Sequence, residues 1–286
     1  MNLCDYNTIR ALLDRHGFHF SRSMGQNFLL DPQVPSDIAA ASGADSSCGV
    51  LEIGPGVGPL TAELAKRAGK VVSIELDKTL LPVLAETMAP YSNVEIVQGD
   101  ALRLDLAALA AEKFPGLTPI VCANLPYNIT SPLLQKLTET PCFQSVTVLI
   151  QKEVAQRLSA PQGSAEGGAF SLFLQYHMEV ETLFSVSRDK FLPAPKVDSA
   201  VLRCVRRERP AVEVSDEAFF FQVLRGGFLL RRKTLVNSLA AALPGTDRAA
   251  IQAAILRCGL PGDVRGERLT LEDFKKLAEE LGNPKM

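Results

Sequence analysis

The run Val50-Leu51-Glu52-Ile53-Gly54-Pro55-Gly56-Val57-Gly58 constrains the fold of this chain more than any other. Four residues that read as a buried strand enter a glycine-rich turn, and a helical pattern begins around Leu60. Glycines at a strand-to-helix turn let the backbone bend tightly and meet a ligand with no Cβ in the way. A second strand, Val71-Val72-Ser73-Ile74-Glu75, ends in an acid 21 positions after Gly54. At that spacing a carboxylate can accept both ribose hydroxyls of an adenosine-containing cofactor. The alternation continues with helix 79–88, strand 94–97, helix 105–113, strand 119–123, helix 131–138 and strand 145–150. Such a pattern calls for parallel strands joined by crossover helices, an α/β fold.

Two cofactor chemistries compete for this turn. A dinucleotide enzyme uses GxGxxG, with the helix N-terminus facing a pyrophosphate. Here the third glycine is Gly58, giving GxGxG, and no second nucleotide half follows. S-adenosylmethionine carries no phosphate and needs only the close backbone approach and the ribose acid. The third strand, Val94 to Val97, runs into Gly99-Asp100, where an acid can accept from an adenine amine or simply serve a turn. The fourth ends in Asn124-Leu125-Pro126-Tyr127. That group suits methyl transfer to an exocyclic amine on a flat base. The Asn124 amide oxygen and the Leu125 carbonyl can each accept one N–H of the amine, which draws its lone pair out of ring conjugation. Pro126 fixes φ and has no N–H, and Tyr127 offers a face for the base. The bland alternative is an ordinary turn after a strand. Four consecutive strand ends with these residues favour the methyl donor, hence a Rossmann-like class I methyltransferase sheet.

Helix 6–17 opens the chain, followed by the polar stretch from Ser21 to Asn27. The Pro161–Gly168 stretch has the composition of a mobile loop. Strands near 179–186 and 197–205 are expected to complete a mostly parallel sheet with an antiparallel pair. Beyond about 210 the periodicity is helical, so the expected domains are 1–209, with residues 1–29 capping the cofactor, and a small all-helical 210–286. The six cysteines have no CxxC spacing and read as reduced, buried thiols, with no metal site. His16, His19 and His177 show no ligand spacing or obvious carboxylate partner. No apolar stretch is long enough to span a bilayer, and nothing resembles a signal peptide. The expectation is a cytoplasmic monomer without an obligate protein partner. A net charge of −2 argues against phosphate contacts over the whole surface. Positive charge is local, in Arg203, Arg206, Arg207 and Arg209 and again in Arg225, Arg231, Arg232 and Lys233. Either cluster alone reads as a solvated face; two of them beside a base-handling turn point to nucleic acid.

The chain closely resembles the KsgA/RsmA-type small-subunit ribosomal RNA adenine dimethyltransferases. The resemblance rests on Gly25-Gln26-Asn27-Phe28-Leu29, Glu52-Ile53-Gly54-Pro55-Gly56, Asn124-Leu125-Pro126-Tyr127-Asn128-Ile129 and Gln151-Lys152-Glu153-Val154. It continues through Phe191-x-Pro193-x-Pro195-Lys196-Val197-Asp198-Ser199-Ala200-Val201 and Arg231-Arg232-Lys233-Thr234-x-x-Asn237-Ser238-Leu239. It implies that Asn27 and Leu29 close over S-adenosylmethionine and that Gly54, Gly56, Glu75, Asp100 and Asn124 contact it. It also implies that Asn124 meets the target amine while Tyr127 and Phe191 hold a flipped adenine, although a core position is the competing reading for Phe191. Arg206, Arg207, Arg231, Arg232 and Lys233 would contact RNA. The implied reaction is N6,N6-dimethylation of two adjacent adenines in the 3′-terminal hairpin loop of 16S rRNA, on the small ribosomal subunit or its precursor. Departures occur at Val186–Lys190, where many relatives have a proline pair, and at Gly168-Ala169-Phe170-Ser171, where Tyr-Gly-x-Leu-Ser is common. The rivals are the large-subunit adenine methylase of macrolide resistance, which shares the Asn-x-Pro-Tyr turn, a DNA N6-adenine methylase, and a non-catalytic assembly factor on the same fold.

Overall fold

The computed structural model describes residues 1–18 and 27–282, so His19 and the Gly25-Gln26 pair of the N-terminal motif lie outside the described residues. Helix α1 (Tyr6–Arg15) starts where the Asp5 carboxylate accepts from the Thr8 amide, a side-chain cap on an otherwise orphaned donor. A two-residue strand β1 (Phe28–Leu29) and helix α2 (Gln33–Ala41) follow. The alternating region gives β2 (Cys48–Ile53), α3 (Pro59–Ala65), β3 (Lys70–Glu75), α4 (Leu81–Met88) and β4 (Val94–Gln98). It continues through α5 (Leu106–Lys113), β5 (Thr118–Asn124), α6 (Thr130–Glu139) and β6 (Ser145–Gln151). Next come α7 (Lys152–Leu158), α8 (Ala169–His177), β7 (Met178–Val186), β8 (Phe191–Leu192) and β9 (Ser199–Arg206). The chain ends in helices α9 (Glu217–Gly227), α10 (Leu235–Ala242), α11 (Arg248–Arg257) and α12 (Leu271–Gly282).

Seven strands form one sheet in the order β4-β3-β2-β5-β6-β9-β7. The pairs β2–β3, β3–β4, β2–β5 and β5–β6 are parallel, whereas β9 runs antiparallel to β6. Because β3 and β4 lie on one side of β2 and β5 on the other, the winding reverses between β2 and β5. Crevices outside the carboxyl ends of strands at such a switch point bind ligands. The central strands are mostly apolar because helices cover them, with Glu52 and Ser73 as buried polar exceptions. Val50, Val71, Ile120 and Cys122 pack with Ile38 and Leu64, while Ile9, Leu12, Val57, Leu80 and Leu84 form a second cluster.

The helical pattern expected from around Leu60 runs from Pro59 to Ala65, and the strand expected near 197–205 begins at Ser199. An extra ladder lies outside the main sheet: β1 pairs with β8, Phe28 opposite Leu192 and Leu29 opposite Phe191. The Leu30 amide donates to the Lys190 carbonyl at 2.8 Å, and Lys190 Nζ lies 2.9 Å from the Asp31 carboxylate.

Backbone packing divides the chain into two units. One is Met1–Ala155 with Glu181–Arg206; the other is Gln156–Val180 with Arg207–Met286. The second unit resumes at Arg207, its next helix beginning only at Glu217, and the stretch 156–180, which periodicity does not separate, groups with it. That unit has its own core of Phe220, Leu224, Leu235, Leu239, Ile255 and Phe274. Cys122 and Cys204 are fully buried, whereas Cys142 and Cys258 are only partly so; all six thiols are unpaired. His16 does have a carboxylate partner, contrary to the sequence reading, with Nε2 2.8 Å from Glu86. His177 packs edge-on against Phe173 and Tyr176.

Candidate active site

One cavity of about 1100 Å³, counting the part open to solvent, lies over the carboxyl ends of β2, β3, β4 and β5. Gly54 and Gly56 form its floor with φ of 69° and 63°, left-handed values that a side chain rarely adopts. A Cβ on Gly56 would also come within 3.0 Å of the Phe28 ring. Asn27, Phe28 and Leu29 line the same cavity, as the N-terminal motif leads one to expect.

Glu75 ends β3 and is 5% exposed. Its carboxylate accepts the Asp77 amide at 2.8 Å, which fixes the side chain toward the cavity it lines. Glu52, inside β2, accepts the hydroxyls of Thr61 and Ser73, each at 2.6 Å. Burial raises both carboxyls from the ordinary glutamate range to about 7, and repulsion from Glu75 adds to the rise at Glu52. Asp100 also lines the cavity, with one oxygen taking the Leu102 amide at 2.9 Å and the other 3.5 Å from Arg103. Lys136 of α6 holds this loop by donating to the carbonyls of Leu102 and Leu104.

The Asn124 amide sits at the end of β5, half-buried, on the cavity wall. Its Nδ2 donates to the Asn27 carbonyl at 3.3 Å. A carbonyl can only accept, so this contact settles which way round the amide lies. Oδ1 is left without a partner among the described residues. The Leu125 amide donates to the Leu149 carbonyl at 3.1 Å, while the Leu125 carbonyl takes no hydrogen bond among the described residues. Two adjacent oxygens at one strand end therefore have no donor among the described residues, Asn124 being half-buried and Leu125 1% exposed. Pro126 lines the cavity beside them.

The two aromatic residues are placed differently. Neither Tyr127 nor Phe191 is a wall of the cavity. Tyr127 is half-buried with its hydroxyl 2.6 Å from Ser199 Oγ, and burial raises its pKa. Phe191 is 2% exposed and belongs to the core beside Leu29 and Val186, the competing reading of that residue.

The two arginine clusters part company. Arg206 does not face a partner outside the protein. Its guanidinium donates to the carbonyls of Leu137, Thr138, Thr140 and Phe143, satisfying the end of α6. Arg207 donates to the Gln175 carbonyl and pairs with Glu179 at 3.1 Å. Both guanidiniums, expected to contact RNA, thus have partners within the protein. Arg231, Arg232 and Lys233 are all exposed, and none forms an ion pair among the described residues. Sequence reasoning missed Leu76, a cavity residue 49% exposed, as well as Ala101 and Asn128. An apolar residue just past a strand-end acid, where a polar one would solvate better, is the signal that could have found Leu76.

No group of three or more residues among those described is arranged to hold a metal ion, and no described helix is long and apolar enough to cross a membrane. A sheet with one reversed strand next to its edge, carrying its cavity over the switch point, is that of the class I methyltransferases. The chain belongs to the ribosomal RNA adenine dimethylase family, whose sequence profile matches residues 17–281. It is 43% identical over 276 residues to the Ribosomal RNA small subunit methyltransferase A of Geobacillus sp. (strain WCH70), covering 95% of each chain. With the protein of that name from Streptococcus sanguinis (strain SK36) the identity is 45% over 285 residues, 98% of each. Among solved structures it resembles a dimethyladenosine transferase from Plasmodium falciparum, at TM-score 0.74 and 27% identity over 89% of this chain and 97% of the other. It also resembles the 23S rRNA methyltransferase ErmE, at TM-score 0.68 and 28% identity over 90% of this chain and 100% of that one. The protein is thus a methyltransferase of the rRNA adenine dimethylase family.

Proposed function

We propose that this enzyme uses S-adenosylmethionine to dimethylate N6 of two adjacent adenines in the 3′-terminal hairpin loop of small-subunit (16S) ribosomal RNA, during subunit assembly in the cytoplasm. The observation that carries the chemistry is the pair of unpartnered acceptors, Asn124 Oδ1 and the Leu125 carbonyl, at the rim of a cavity that also holds Glu75.

The residues present fit the donor. Glu75 is a desolvated acceptor for ribose hydroxyls, Leu76 an apolar face for a purine, and Asp100 an acceptor for its amine. Gly54 and Gly56 give close backbone approach, with Asn27 and Leu29 alongside. When bound, the donor supplies an electrophilic methyl on a sulfonium. Asn124 Oδ1 and the Leu125 carbonyl each accept an N–H of the target amine, leaving its lone pair free to attack. Positioning and electrostatic preorganisation supply most of the barrier reduction. The methylated ammonium is acidic and loses its proton to water, so no side chain has to act as a base. In the second transfer one of the two acceptors has lost its partner, and the pocket tolerates that. Tyr127 and Phe191 stack on the extruded base, a contact worth about 1–3 kcal/mol per base. Arg231, Arg232 and Lys233 of the helical unit take RNA phosphates, and the enzyme works as a monomer.

The likeness to ErmE keeps the large-subunit reading in view, but the relatives at 43–45% identity bear the small-subunit name. The deciding experiment supplies labelled methyl donor with undermethylated small subunits or with large-subunit RNA, then maps label by nucleoside mass spectrometry. Dimethyladenosine in small-subunit RNA is expected. Label only in large-subunit RNA, or none, overturns the assignment.

A further inference from the structure

The nine-residue run from Phe191 to Ser199 ends on a serine for which the proposed chemistry has no use. Ser199 opens β9 opposite Gln151 and is fully buried. A hydroxyl in that setting is costly unless it is paired, and an alanine would continue the strand equally well. Its partner is Tyr127, whose hydroxyl oxygen lies 2.6 Å away across 72 residues of sequence. The backbone around Ser199 is held independently. The Lys152 amide donates to the Asp198 carbonyl at 3.0 Å, and the Asp198 carboxylate accepts the Arg188 amide at 3.1 Å. The other end of the tyrosine is fixed by the turn it opens, where the Ile129 amide donates to the Pro126 carbonyl at 3.2 Å. An aromatic ring on a turn has two free torsions. Anchoring both its Cα and its hydroxyl fixes the first torsion and so the direction in which the ring extends.

We propose that Ser199 is a positioning residue for the methyl acceptor: its hydroxyl holds the direction in which the Tyr127 ring extends from its turn, so that an adenine stacked on it presents its amine to Asn124 Oδ1 and the Leu125 carbonyl. This rests on the reading of Tyr127 as a stacking face. It gives the run a single task, because Phe191 stands at one end of it and the anchor of Tyr127 at the other.

The test uses the full-length enzyme on undermethylated small subunits, with Ser199→Ala, Tyr127→Phe, the double variant and Tyr127→Ala. Ser199→Ala and Tyr127→Phe should each lower kcat about fivefold to tenfold, the size of one buried hydrogen bond. Each should raise the ratio of monomethyl- to dimethyladenosine and leave donor affinity, read by calorimetry, within about twofold. The double variant should be no slower than either single one, since both remove the same bond. A Ser199→Ala enzyme that melts earlier yet turns over at the normal rate makes the bond merely structural and overturns the proposal. Losses that multiply in the double variant overturn it too. If Tyr127→Ala abolishes turnover while Ser199→Ala and Tyr127→Phe do not, the anchor alone is wrong; if Tyr127→Ala keeps full rate, the stacking reading itself fails.

Discussion

The cavity at the switch point and the residues expected to handle RNA differ in how far folding has already arranged them. Around the cavity the groups stand ready. Gly54 and Gly56 hold left-handed backbone, the Asp77 amide aims Glu75, and the Asn27 carbonyl orients Asn124. On the RNA side, Phe191 is in the core, Tyr127 is held at Ser199 and Arg206 is turned inward, while Arg231, Arg232 and Lys233 are exposed without ion pairs among the described residues. Groups already in place lose little freedom on binding, so the donor should meet a finished site. A buried ring has to leave its packing before it can stack on anything, so the base should be bound with a rearrangement around Phe191.

This contrast is sharpest at Asn124, which belongs to both halves. Asn124→Ala should lower turnover on small subunits about a hundredfold or more, the usual cost of removing one preorganised polar group from a transition state. Donor affinity should change far less, because the glycine floor and Glu75 remain. Single-turnover rates and calorimetry on the same preparation decide it, and equal losses in the two would erase the division. Glu75→Ala should do the reverse, weakening the donor by about tenfold to a hundredfold, the worth of hydrogen bonds to a charged group, with RNA affinity unchanged. Next in size comes the triple variant Arg231→Ala, Arg232→Ala, Lys233→Ala. It should weaken RNA binding about tenfold at moderate salt and flatten log K against log salt by about 0.7–0.9 per lost contact. Arg206→Met should leave that slope alone and instead lower the melting temperature, by stranding the four carbonyls it serves. An unchanged slope for the triple variant would remove the RNA role of that loop.

The sheet was legible in the sequence because each parallel strand is a short, mostly apolar run and each crossover helix has its own period. Glu75, Asp100 and Asn124 could be placed because strand ends at a switch point converge whatever the intervening helices do. The β1–β8 pair was not legible, since two residues per strand carry no periodicity. Nor was the fate of the arginines. Arg203 to Arg209 and Arg225 to Lys233 look alike as charge runs. In the first, Arg206 at the end of β9 meets carbonyls from the close of α6, and in the second, Arg231, Arg232 and Lys233 sit on the connection between α9 and α10, so only the fold tells them apart. The inward placement of Phe191 was equally hidden, because an aromatic before Pro193 suits a core and a binding loop alike.

The smallest expected effect probes the finished half of the site through protons. Glu75 has a carboxyl raised by burial to about 7 in the folded protein, from 4.5 for the free group. Between those values the native state holds a proton that the unfolded chain has released, so the free protein should lose stability as pH rises from 4.5 to 7 and level off above. Donor binding should run the opposite way. Ribose hydroxyls donate to an ionised carboxylate, so at pH 6 only about a tenth of the molecules are competent, and affinity should rise about fivefold to tenfold between pH 6 and 8. Glu52 titrates near the same pH but already accepts two hydroxyls inside the sheet, so its contribution to stability should survive in a Glu75→Gln variant. The donor titrates as well, and Glu75→Gln supplies the control. It cannot ionise, so whatever slope remains in calorimetric titrations of that variant belongs to the ligand and to Glu52, which lines the same cavity. If wild type and Glu75→Gln share one profile, the buried acid is not what grips the ribose, and the cavity owes its affinity to the glycine floor and Leu76 instead.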